Sequence, residues 1–107
     1  DEARRRFDEF LTALADRRPG DTFAVKGPFV DAHGVELLWL TVTAVDAEFV
    51  HGNIDNRPKV VQVVRPGDAV SVARELVHDW LIVRGDAVVG GFSLKGVGDW
   101  RPGQGAA

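Results

Sequence analysis

The sequence predicts an α+β protein: one N-terminal amphipathic helix followed by a strongly bent antiparallel β-sheet, or by a small SH3-like β-barrel closed from the same strands. Three observations predict it. Apolar residues near the start recur at helical spacing. After Gly20, runs rich in Val, Phe, Thr and Leu are broken by turn residues at short intervals. The longest of these runs is apolar on both faces and so needs cover on both sides.

The helix is expected over 2–18. Phe7, Phe10, Leu11 and Leu14 line one face, while Arg4, Arg5, Asp8, Glu9 and Asp16 lie elsewhere. Asp1 and Glu2 at its start and Arg17 and Arg18 at its end suit the helix dipole, and Pro19 stops it. Strands are expected near 22–30, 35–45, 48–54, 59–64, 69–73, 79–84 and 87–94. The turn segments DAHG, VDA, DNRP, RPGD and RGDA separate most of them. In VELLWLTVTAV, Leu38, Leu40 and Val42 share one face and Leu37 and Trp39 the other. Gly90 and Gly91 mark a bulge, or a place where Trp80 needs room. The whole is read as one domain over 1–107, with a β-rich body at 22–95 and a Gly-rich tail at 96–107 that buries little beyond Trp100.

Composition narrows the function. With 45% hydrophobic and 27% charged residues, the chain is globular in character. Its net charge of −3 supplies no overall positive field for nucleic acid or an anionic membrane. No apolar stretch approaches the ~20 residues of a spanning helix. The absence of cysteine excludes disulfides and Cys-based zinc sites and leaves the compartment open; a cytoplasmic setting is the expectation. Asp1 comes first and there is no methionine, so the chain is expected to be processed or drawn from something longer.

The stretches FAVKGPFVD, GVELLWLTV, HGNIDNRP, RPGDAVSVA, VHDWLIV and GGFSLK, spanning about Phe23 to Lys95, resemble the bacterial family of domains of unknown function 2314 in order and spacing. The helix and the Trp100 tail lie outside that resemblance. It implies a compact β-rich fold and no particular activity. Its special positions are Lys26, Glu36, Trp39, Gly52, Asn56, Pro58, Gly67, Asp68, Asp79, Trp80 and Gly91, and no histidine is among them. GDAV and HDW are also similar, more distantly, to barrel domains proposed as immunity proteins of bacterial toxin systems, which implies protein binding.

Each candidate for chemistry competes with a structural role. His78 and Asp79 are adjacent on a strand, so their side chains point to opposite faces; Asp79 is expected to accept backbone N–H groups while Trp80 enters the core. Glu36 shares a face with Leu38 and Leu40; buried, its proton affinity would rise, and Lys26 on the adjacent strand is its expected neutraliser. Asn53, Asp55, Asn56 and Arg57 read as a hairpin turn, since the calcium-loop spacing is missing. The three histidines are too far apart in sequence for a zinc motif. Arg84 to Asp86 spells an adhesion tripeptide, yet it also suits a hairpin tip. GGFSLKGVG lacks the ending of a phosphate loop, and the charges around Arg4 to Arg6 form a solvated face.

The expected function is therefore a non-enzymatic binding module for a protein or small ligand. Glu36, Trp39, Asn56, Asp79 and Trp80 are its candidate contact residues, with no cofactor and no metal. A small enzyme using Glu36, Lys26 and Asp79 is the reading from another class. A toxin-neutralising immunity-type protein is the third.

Overall fold

The computed structural model describes residues 1–94. Its first elements are two short helices, α1 (Glu2–Arg5) and α2 (Phe7–Ala15). Six strands follow: β1 (Thr22–Asp31), β2 (Gly34–Val45), β3 (Phe49–Ile54), β4 (Ala69–Ala73), β5 (Asp79–Arg84) and β6 (Ala87–Gly90). All pairings are antiparallel, in the order β4-β3-β2-β1-β5-β6. The sheet is open, so the barrel alternative gives way to the bent sheet. The bend is nonetheless strong. Val72 of β4 reaches over to β1, where a Cβ added to Gly27 would lie 2.6 Å from the Val72 Cγ1.

The helix stripe packs where periodicity places it. Phe10 is fully buried and meets Phe23 edge-on and Trp80 at a tilt, each with ring centroids 5.6 Å apart. Phe23 and Val25 of β1, Leu40 and Val42 of β2, and Trp80 and Ile82 of β5 complete that core face. The opposite face holds a smaller cluster around Ala24, Trp39 and Leu81. Both sides of β2 are thus covered over its middle, at Leu38 to Leu40, while Val35 and Leu37 nearer its start stay exposed.

Three expectations are corrected. The helix is broken at Arg6 and ends at Ala15 instead of running over 2–18. The cause of the break is tertiary: the Ala3 carbonyl, which an unbroken helix would offer to Phe7, accepts the Trp80 indole N–H at 2.8 Å. The last strand stops at Gly90, whose φ of +88° and contact with the Trp80 carbonyl leave no room for a Cβ. No strand forms at 59–64. Val61 is buried against Leu38 and Ile54, but the backbone donors of that segment go to side-chain carboxylates instead of a ladder. The tail at 96–107, with Trp100, lies outside the described residues.

Candidate functional site

Four carboxylates organise the polar chemistry, and each gathers backbone N–H groups. Glu36, on the core-facing side of β2, takes the N–H of Lys59 at 2.9 Å, of Val60 at 2.7 Å and of Val61 at 3.1 Å. Three successive donors converge on one anion, an arrangement that elsewhere binds a ligand anion. Burial pushes the Glu36 carboxyl up, yet these three N–H groups outweigh it and hold the group below its ordinary value. Asp31, at the end of β1, does the same for Gln62 at 2.6 Å and Val63 at 3.2 Å. The Gln62 N–H is the leading reason its carboxyl is also depressed. The expected rise in Glu36's proton affinity is therefore reversed, and its neutralisers are backbone donors, not Lys26.

Asp79 is fully buried at the start of β5. It accepts from the N–H groups of Trp80 at 2.8 Å, Phe92 at 3.1 Å and Ser93 at 2.8 Å, and from the Ser93 hydroxyl. The fastening anticipated for Asp79 thus secures mainly the turn after β6. Ser93 Oγ in turn accepts from Lys26 Nζ at 2.7 Å, and Lys26 lies opposite Asp79 in the β1–β5 register. Lys26 also stands 5.6 Å from the centre of the Trp39 ring, within cation–π reach. The backbone N–H of Trp39 donates to the Asn56 side-chain oxygen. Lys26, Trp39, Asn56 and Asp79 therefore form one connected cluster on the face away from the helices, while Glu36 serves the other face. Trp80 is fully buried and belongs to the core.

His78 is exposed and bonds the Leu76 carbonyl, so it shares no site with Asp79. Arg84 of the adhesion-like tripeptide donates to Asp21 at 3.0 Å, which ties it back beneath α2. Among the described residues no group of three His, Cys, Asp or Glu side chains could hold a metal. No helix there is long and apolar enough to cross a membrane.

Sequence reasoning missed one linkage. His51 Nδ1 lies 2.6 Å from Ser71 Oγ, and its Nε2 lies 2.7 Å from Asp46 Oδ2. With the ring neutral, Nε2–H donates to Asp46 and Nδ1 accepts the Ser71 hydroxyl. Asp46 also receives the Glu48 and Phe49 N–H groups. The His51 bond first, then those N–H groups, lowers its carboxyl to about 2. Asp46 and His51 meet across the short β2–β3 turn, and the β3–β4 register, with His51 opposite Ser71, adds the serine.

A second surface feature is apolar. Val30 pairs with Val35 and Pro28 with Leu37 at the β1–β2 hairpin, next in register to Lys26 and Trp39. Val30 is 66%, Val35 63% and Leu37 42% exposed. Pro28 is half-buried. On a small protein, a contiguous exposed apolar strip of this kind marks a contact surface more often than scattered single residues do.

These features define an α+β protein with an open, curled sheet whose loops are secured by carboxylates. A model of a family described as an uncharacterized protein conserved in bacteria matches residues 1–100, and the chain belongs to that family, the domain of unknown function 2314. The match takes in the helical segment, which the resemblance read from sequence had left outside. The chain is similar to the uncharacterized protein YegJ of Escherichia coli (strain K12), with 37% identity over 93 residues, or 86% of this chain. It spans 60% of that protein's length. No solved structure matches.

Proposed function

We propose that the protein is a non-enzymatic binding module that docks a protein partner on the hairpin strip of Pro28, Val30, Val35 and Leu37, with Lys26 at its polar end. The observation that carries this reading is the exposed pair Val30 and Val35 with exposed Leu37 beside it, across from half-buried Pro28, on two long strands. Glu36 and Asp31 support the strip indirectly, since both brace the same hairpin end against the 59–63 segment. Toxin neutralisation is a narrower version of the same reading, and a small ligand is its alternative occupant. We take the cytoplasm as the compartment, checked by recovery of tagged chain in the soluble cell fraction.

Immobilised chain is expected to retain a bacterial protein that a Val30→Asp, Val35→Asp variant of unchanged circular dichroism loses. Equal retention by both, or none by either, rejects the reading.

One observation favours a second reading, a small hydrolytic enzyme: the Asp46–His51–Ser71 line, in place of the Glu36, Lys26 and Asp79 set. Hydrolysis of an activated aryl ester that vanishes in Ser71→Ala would support it. Identical rates in the two proteins would end it.

A further inference from the structure

Strand β4 is an outer strand of the sheet, and its sequence is Ala69-Val70-Ser71-Val72-Ala73. The bonds that flank it fix which way its backbone faces. Ile54 N–H donates to the Asp68 carbonyl and Arg74 N–H to the Glu48 carbonyl, both at 2.9 Å. By the antiparallel alternation, Val70 and Val72 then bond β3, and the N–H and C=O groups of Ala69, Ser71 and Ala73 point off the open edge. Ala69 and Ser71 are exposed. Natural edges are commonly blunted by lysine, proline or a bulge, and these five residues contain none.

The strand also reads identically in both directions. We propose that β4 pairs antiparallel with β4 of a second copy of this chain, about a two-fold axis through Ser71, making one continuous sheet across a symmetric dimer. In that register Ser71 faces the second copy's Ser71, and Ala69 faces its Ala73 on either side. Each of these three pairs exchanges two backbone hydrogen bonds through groups that β3 leaves unused. The residues just beyond the palindrome carry the charge argument. Asp68 falls opposite the second copy's Arg74, and Arg74 opposite its Asp68, so each end of the pairing joins opposite signs. Arg74 already gives one N–H to the Asp46 carbonyl, but its guanidinium has further donors. A shift of register by two residues would lose both the palindrome and these charge pairs. The surface is separate from the hairpin strip, so this inference stands apart from the protein-binding reading.

Sedimentation equilibrium and residue-resolved amide exchange, run on the 107-residue chain over a range of concentrations, test it together. The expected result is a monomer–dimer equilibrium in which the Ala69, Ser71 and Ala73 amides gain protection as the dimer fraction rises. Ser71→Pro removes an N–H that the β3 ladder does not use, so the variant is expected to fold and stay monomeric. If that variant fails to fold, the exchange data on the unaltered chain decide alone. A Val35→Asp variant is expected to dimerise as before. A chain still monomeric at millimolar concentration, a dimer whose three edge amides stay unprotected, or a dimer abolished by Val35→Asp overturns the proposal.

Discussion

At the scale of single residues, Asp79 and Asp46 show two ways a carboxylate can be used. Asp79 is sealed from solvent and accepts four donors, three of them backbone groups. Asp79→Ala would leave those donors buried without acceptors, and a loss of about 2–4 kcal/mol is expected in urea unfolding. Asp46 is on the surface, and its role depends on pH. A carboxyl depressed from 3.8 to about 2 stabilises the folded state fully above its ordinary value and ceases to do so as pH falls through the lower one. The amide signals of Glu48 and Phe49 in the folded protein are therefore expected to hold steady through the ordinary value of 3.8 and to move at lower pH, with a midpoint at about 2. Movement at neutral pH without change in the acid range would contradict that assignment. That Asp79 takes backbone donors was readable in sequence, because aspartate at a strand entry habitually does so. The sequence points to the donors of the RELV turn before β5, whereas those found beyond Trp80 belong to Phe92 and Ser93 after β6. The Asp46 line was not, because His51 meets Ser71 across 20 residues of chain.

At the scale of elements, legibility followed the range of the forces involved. The stripe of Phe7, Phe10, Leu11 and Leu14 and most strands are local patterns, and they appear close to where alternation and turn residues put them. The break at Arg6 and the missing strand at 59–64 come from partners distant in sequence. The run of valines at 60–64 has the composition of a strand, but its N–H groups are taken by Glu36 and Asp31. Glu36→Ala is accordingly expected to abolish exchange protection at Lys59, Val60 and Val61 while β1, β2 and β5 keep theirs. Uniform loss across the sheet would mean that the segment is not a separate unit. The sign for acid is the same as for Asp46: Glu36 is depressed, so its hold on the segment is complete above its ordinary value of 4.5 and weakens as pH falls below the depressed one.

At the scale of the molecule, the curl rests on Gly27 lying beneath Val72. A larger residue at position 27 would push β4 away from β1. Gly27→Val is expected to cost about 1–3 kcal/mol, and adding Val72→Ala should recover part of it, a non-additivity that a double-mutant cycle in denaturant measures. Additive losses would show that the two positions do not press on each other. The curl was foreseen in kind from the two-sided apolar β2. Its extent was not, because whether six strands close depends on how the edges meet and on no single residue pattern.

The indole of Trp80 meets both extremes of the described chain: its N–H donates to the Ala3 carbonyl, 77 positions earlier, and its ring lies 5.4 Å from that of Phe92. During translation the helical segment therefore leaves the ribosome well before its binding place exists, and its greasy side must wait unsheltered until β5 is made. Assembly should be late and all-at-once, slowed by the long span that has to close.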